Sequence, residues 1–161
     1  MDRPERKPLR LKEYDYSQNG AYFVTICTKN RAPLFGLIVG AAHPGGPHVE
    51  LSELGQIVEH HLTAIPNFYP TAAIEHYIIM PDHIHFILSL DQNGPPGCAA
   101  PTSLPKVVNA LKSLCSRSAK IPLWQRGYYE HVIRNQRDFD AAAEYILTNP
   151  ARRWEQETGT P

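Results

Sequence analysis

The chain has 161 residues, a length that fits one domain with a sizeable hydrophobic core. Its 16 lysines and arginines balance 16 aspartates and glutamates, so the net charge does not indicate nucleic-acid binding. Any surface that binds DNA must come from local clusters of basic residues. No apolar run approaches the roughly 20 residues of a membrane span, so we expect no membrane contact. The three cysteines are widely spaced and form no CxxC pair, so we expect no zinc framework. A reduced, cytoplasmic protein is expected.

The first elements in chain order are a polar arm, a strand and a ribbon. Residues 1–19 carry several basic side chains and are as compatible with a solvated tail as with an arm that grips DNA. Residues 21–28 (AYFVTICT) are β-branched and aromatic, which predicts a strand. Residues 34–51 predict a short ribbon, interrupted by a glycine- and proline-rich loop at 40–47.

The middle of the chain predicts two helices around two strands. Ser52 caps a helix whose apolar residues recur at helical spacing up to Pro66. Strands follow at 74–80 and 83–90, separated by a break at Pro81-Asp82, and a loop covers 91–102. Ser103 then begins a second amphipathic helix.

The last elements are a strand at 128–133 and a helix that Asp138 caps and that Asn149-Pro150 ends near Thr148. Up to this helix, the order is strand–helix–strand–strand–helix–strand, which indicates an α+β fold of the ferredoxin-like, split βαβ type. We expect one domain over residues 1–161, with an antiparallel sheet, helices packed on it and a catalytic core at about 20–154.

Two histidines separated by one residue form the most informative motif. His83 and His85 follow Pro81-Asp82 at the start of a predicted strand. Side chains at i and i+2 of a strand point to the same face, so both imidazoles can reach one metal ion while Ile84 faces the opposite layer. Two ordinary histidines on a half-exposed strand would give the same pattern.

Tyr145 and Asn149 form a second pair in the last helix. Their spacing of four residues places them on one helical face, one turn apart. A phenol and an amide near two histidines would provide a nucleophile and a third metal ligand. A tyrosine packed on the core and a capping asparagine explain the same residues.

Other residues offer weaker candidates for a site. Tyr128 and Tyr129 are rival nucleophiles, and His131 could orient a site residue or contact DNA. The sequence has no Gly-rich phosphate loop, no G-x-S-x-G elbow and no HExxH motif, so no small-molecule cofactor is expected.

The assembled motifs resemble the REP-associated tyrosine transposases, a branch of the single-tyrosine HUH transposases. The resemblance extends from about Leu9 to Trp154. Its four segments occur in the family's order and approximate spacing, and they are Tyr22 to Thr25, Met80 to His85, Leu123 to Asn135 and Tyr145 to Pro150.

The resemblance implies a site and a cofactor. His83 and His85 match the metal-binding pair, Tyr145 matches the nucleophile, and Asn149 matches the third-ligand position, which is glutamine in related transposases. The metal would be Mg²⁺ or Mn²⁺. Basic residues predicted to contact DNA are Lys106, Lys112, Arg117, Arg126, His131, Arg134, Arg152 and Arg153.

The implied activity is cutting and joining of single-stranded DNA at hairpins or imperfect palindromes through a 5′-phosphotyrosine intermediate. Related transposases can complete their sites across a homodimer, so either chain of a dimer could supply Tyr145. Two alternatives remain open at this stage. One is a domesticated protein that binds DNA hairpins without transposing them, and the other is a metal-dependent hydrolase of small phosphoesters that would not need Tyr145.

Overall fold

Six strands and four helices make up the fold of the computed structural model, which describes residues 20–40, 45–91 and 102–159. The strands are β1 Gly20–Cys27, β2 Gly36–Val39, β3 His48–Leu51, β4 Ala72–Met80, β5 His83–Leu90 and β6 Tyr129–Ile133. The helices are α1 Glu53–Thr63, α2 Ile65–Phe68, α3 Leu104–Ala119 and α4 Gln136–Thr158, and a short 3₁₀ turn spans Lys29–Arg31.

The main sheet is antiparallel, with strand order β4-β5-β1-β6. Strands β1 and β4 are joined through α1, and β5 lies between them, which is the split βαβ arrangement. Strands β2 and β3 form the separate two-stranded ribbon. The predicted ferredoxin-like α+β fold and its ribbon are therefore confirmed.

The two faces of the sheet are covered by different helices. On one face Tyr22, Val24 and Ile26 of β1 are fully buried in a cluster that includes residues of α1 and α3. On the other face α4 places Ala143 and Ile146 against β5. The strict alternation of buried and partly exposed residues along β1 produces this division, because neighbouring side chains in a strand point to opposite faces.

The pairing of β1 with its two neighbours sets the row of residues under α4. Thr25 is the register partner of His85 on β5 and also of Tyr129 on β6. Cys27 is the partner of His83. Thr25 therefore occupies the centre of a row with His85 on one side and Tyr129 on the other.

Helix α4 differs from its prediction at both ends. It begins at Gln136, and the Asn135 side chain caps it by accepting from the backbone nitrogen of Asp138 at 2.8 Å, so Asp138 is not the cap. It continues through Pro150 to Thr158, so the predicted end near Thr148 is wrong. Proline removes one helical hydrogen bond, but contacts of Arg153 and Trp154 beyond it hold the last turns on the rest of the fold.

The predicted arm at residues 1–19 and most of the loop at 91–102 lie outside the described residues. Within the part of the chain that the structure describes, no helix combines the length and apolar character that a membrane span requires.

Candidate active site

A cavity of about 360 Å³ lies between the sheet and α4. Strands β1 and β5 supply one wall, α4 supplies the other, and Arg31 closes one side. The cavity is lined by Thr25, Arg31, His83, His85, Tyr145, Asn149, Arg152, Arg153 and Gln156. The structure thus brings the two histidines together with Tyr145 and Asn149, the four residues that the sequence singled out.

The two histidines of β5 lie side by side at the base of this cavity. Their ring centroids are 4.5 Å apart, and the residues His83 and His85 are 7% and 5% exposed. Burial lowers the pKa of His83, and it lowers the pKa of His85 to about 3, with His83 and Arg31 adding to the shift at His85. Both imidazoles are therefore neutral at neutral pH, the form that binds a metal.

Hydrogen bonds at the Nδ1 atoms orient both rings. His83 Nδ1 lies 2.6 Å from Asp82 Oδ1, and a carboxylate can only accept, so this nitrogen carries the proton and Nε2 keeps a lone pair. His85 Nδ1 lies 2.7 Å from Thr25 Oγ1. His85 Nε2 is buried and has no hydrogen-bond partner among the described residues. Because an unpaired buried nitrogen is costly, this atom fits the requirement of a metal ligand.

The donor set of the cavity is two imidazoles and an amide. No group of three His, Cys, Asp or Glu side chains that could hold a metal occurs within residues 20–40, 45–91 and 102–159. Asn149 is only 8% exposed and lines the same cavity. Its amide oxygen is a hard ligand that suits Mg²⁺ or Mn²⁺ better than a soft ion. The side chains present therefore fit a divalent ion that completes its shell with water or phosphate.

Tyr145 projects from α4 toward His85 of the same chain. Its ring is 5.3 Å from the His85 ring and 5.9 Å from the Phe23 ring, in edge-on contacts. The Arg152 guanidinium carbon is 5.7 Å from the tyrosine ring centroid. Tyr145 is 42% exposed, so part of the residue is accessible to a large substrate. In this structure one chain provides both the tyrosine and the histidine pair.

Asp82 connects the histidines to cationic side chains from two other elements. Its carboxylate accepts from Arg153 at 3.1 and 3.4 Å and lies 3.4 Å from Arg31. Burial alone would raise the pKa of Asp82, but hydrogen bonds from Arg153 and His83 hold it below its usual range. With Arg152 these arginines concentrate positive charge around the cavity of a chain whose net charge is zero.

Comparisons with known proteins identify the chain's relatives. No family model matches it. It is 34% identical over 171 aligned residues to an uncharacterized protein of Haemophilus influenzae, across 94% of this chain and 91% of that protein. It is 22% identical over 137 residues to the REP-associated tyrosine transposase of Escherichia coli K12, across 85% of this chain and 70% of that protein. A solved REP-associated tyrosine transposase bound to a REP hairpin shares the fold, with a TM-score of 0.63, 22% identity and coverage of 89% of this chain and 74% of the other.

The chain is similar in sequence to REP-associated tyrosine transposases over most of its length and shares the fold of a solved one.

In this chain, the basic residues predicted to contact DNA fall into three groups. Arg152 and Arg153 line the cavity. His131 lies on β6 within the same face of the sheet, and Arg126 and Arg134 are exposed before and after that strand. The third group lies on α3, across the sheet from Tyr145, and consists of Lys106, Lys112 and Arg117.

Lys112 has a contact that the sequence did not suggest. Its ammonium donates to the backbone oxygens of Gln125 and Gly127, both at 3.0 Å. The side chain therefore fastens the segment that precedes β6 to α3.

Four residues at or beside this cavity were not assigned to the site from the sequence, and they are Thr25, Arg31, Asp82 and Gln156. Asp82 was interpreted only as part of a strand break, although its position next to the histidine pair predicted to bind a metal was a usable signal. Thr25 lay in a segment that carried the family resemblance, without an assigned role. Arg31 reaches Asp82 from a turn in which its own φ is 54°, and no sequence pattern predicts that approach.

Proposed function

We propose that this chain is a metal-dependent endonuclease and strand transferase that cuts single-stranded DNA through a covalent bond to Tyr145. The observation that carries the proposal is the shared cavity of Tyr145, His83, His85 and Asn149. Three arginines in or beside the same cavity provide the charge needed to bind phosphate. A hydrolase of small phosphoesters would not need an accessible tyrosine at this position.

His83, His85 and Asn149 would hold a divalent ion, Mg²⁺ or Mn²⁺. When bound, such an ion polarises the scissile phosphate and stabilises charge on its oxygens. Asp82 and Thr25 orient the two imidazoles through the Nδ1 atoms, so that both Nε2 atoms are available to the ion.

The chemical step is attack of the Tyr145 hydroxyl on the scissile phosphorus. A bond forms between the tyrosine oxygen and phosphorus and the bond from phosphorus to the 3′-oxygen breaks. The 3′-oxygen takes a proton from solvent and leaves as a 3′-hydroxyl. The phenol proton passes to solvent. Because the phosphoryl bond energy is retained in the 5′-phosphotyrosine, a second 3′-hydroxyl can reverse the step and join strands without another energy source.

The proposed substrate is single-stranded DNA that folds into a hairpin. A solved relative is bound to a REP hairpin, and in-line attack needs a strand that is free to bend into the cavity. Arg152 and Arg153 would bind phosphates on either side of the cut.

The test is a covalent-adduct assay with labelled hairpin oligonucleotides taken from palindromes that flank the gene. Wild-type protein with Mn²⁺ or Mg²⁺ should give an adduct on denaturing electrophoresis. Tyr145→Phe should form no adduct and should bind the hairpin with unchanged affinity, because it removes only the nucleophilic oxygen. Peptide mass spectrometry should locate the phosphonucleotide on Tyr145 and not on Tyr128 or Tyr129.

Tyr69→Phe is the matched control, because Tyr69 ends α2 and packs with the cluster on the other face of the sheet. This variant should form adduct at the wild-type rate. Adduct formation by Tyr145→Phe would refute the nucleophile. Hairpin binding by wild-type protein without adduct in either metal would favour the hairpin-binding alternative.

A further inference from the structure

A second groove of about 500 Å³ lies on the side of Tyr145 that faces β6. It is lined by Phe23, Thr25, His85, Tyr129, His131, Asp138, Ala141, Ala142 and Tyr145. Of these residues, the sequence predicted His85 as a metal ligand, His131 as a DNA contact and Tyr145 as the nucleophile, with Tyr129 as a rival nucleophile.

The groove is continuous with the cavity that holds the histidine pair. Thr25, His85 and Tyr145 line both spaces. The two sides differ in chemistry, because three arginines face the first cavity while aromatic rings and alanines line the second. The tyrosine therefore lies at the boundary between a cationic half and an aromatic half of one cleft.

Tyr129 gives the groove an open aromatic surface. It lies on β6, an edge strand, and its side chain is 54% exposed. Its backbone pairs with Thr25, which is also the register partner of His85. Phe23 stacks on His85 with centroids 5.2 Å apart, so the floor beside Tyr129 is packed. The small side chains of Ala141 and Ala142 on α4 form the facing wall.

We propose that this groove binds an unpaired nucleobase adjacent to the scissile phosphate, with the base stacked on Tyr129. The inference rests on the proposed function, because it places the phosphate in the cationic half of the cleft. A sugar joins each base to its phosphate, so a bound nucleotide needs an aromatic surface directly beside a cationic one. A base in a duplex is stacked and paired, and so only an unpaired base can enter the groove.

Two polar side chains also line the groove. His131 Nε2 lies 3.4 Å from Asp138 Oδ2, and both side chains are partly exposed. They provide a donor and an acceptor in the groove that Tyr129 lines. Stacking would give affinity for any base, and these two groups are positioned to distinguish base edges.

The test is fluorescence anisotropy without metal, with hairpin oligonucleotides from the flanking palindromes that carry an unpaired flank. Tyr129→Ala should weaken binding about tenfold, within the range of one base–aromatic stack, and Tyr129→Trp should restore it. An oligonucleotide with an abasic site at the stacked position should bind wild type and Tyr129→Ala equally. Phe68→Ala, which removes a ring that is 67% exposed on α2, is the matched control and should bind as wild type.

The outcomes separate this proposal from the cleavage chemistry. Equal affinity of wild type and Tyr129→Ala for every oligonucleotide would overturn the base site, even if wild type forms the covalent adduct. Tyr129-dependent binding without any adduct would support the base site and remove the proposed cleavage. If Tyr129→Ala weakens binding equally on intact and abasic flanks, Tyr129 acts on the fold and the proposal fails.

Discussion

The carboxylate of Asp82 contacts three side chains of the candidate site. It accepts from His83 and from Arg153 and lies beside Arg31, so it contacts β5, α4 and the 3₁₀ turn at once. A carboxylate behind a metal-binding imidazole fixes the ring and increases its basicity. We therefore assign Asp82 a positioning role for His83.

Asp82→Asn should lower the affinity for Mn²⁺ about 10- to 100-fold, the usual effect of removing such a partner. The amide keeps the shape of the side chain but removes the charge that pairs with His83 and Arg153. Calorimetric titration or the Mn²⁺ electron paramagnetic resonance signal measures the affinity directly, independently of DNA cleavage. Asp140→Asn, on the exposed side of α4, is the control and should bind Mn²⁺ as wild type does. Equal affinities in the two variants would contradict the positioning role.

Individual residues differed in how far the sequence revealed their surroundings. His83 and His85 could be placed on one face because the side-chain period of a strand is two. Tyr145 and Asn149 could be placed on one helical face by their spacing of four. The sequence could not show that Thr25 lies behind His85, since their hydrogen bond joins positions 60 residues apart and depends on strand register.

At the scale of elements, α4 depends on contacts made beyond Pro150. Trp154 lies against Gly40, which follows β2, and a Cβ at Gly40 would come within 2.3 Å of the indole ring. Arg153, one residue earlier, binds Asp82. These tertiary contacts compensate for the hydrogen bond that proline removes, so the helix continues beyond Pro150 to Thr158.

Gly40→Ala should therefore destabilise the protein by about 1–3 kcal/mol, the usual cost of overpacking. Urea denaturation of wild type, Gly40→Ala, Trp154→Ala and the double variant measures the coupling. In the Trp154→Ala background the added methyl group should cost much less, with a difference of about 1 kcal/mol or more. An identical cost in both backgrounds would show that the glycine is required for its backbone and not for contact with the indole.

The wrong prediction of where α4 ends shows why helices and strands were only partly predictable. Strands and helices with a strong hydrophobic period, such as β1 and α1, were placed from local pattern alone. Pro150 is a local signal for a helix end, and the sequence contains no local signal for the opposing contacts of Arg153 and Trp154. Those contacts are made with Gly40, which follows β2, and with Asp82 in the β4–β5 turn, both distant in sequence.

At the scale of the whole molecule, a net charge of zero conceals an uneven distribution of charge. Arg31, Arg152 and Arg153 gather at the cavity, while Lys106 and Arg117 lie on α3 across the sheet. Two of the cavity arginines also neutralise Asp82, so Arg152 is the cavity arginine without a carboxylate partner among the described residues. We expect it to contribute most to phosphate binding.

The salt dependence of DNA binding tests this distribution. For single strands, the slope of log affinity against log salt changes by about 0.7 for each phosphate that the protein neutralises. Arg152→Gln should therefore make the slope shallower by about 0.7 and weaken binding at low salt. Lys106→Gln removes the same charge on α3 and should leave the slope unchanged if the cut strand binds only on the α4 side. A reduced slope in Lys106→Gln as well would instead mean that the DNA also contacts α3, on the other face of the sheet.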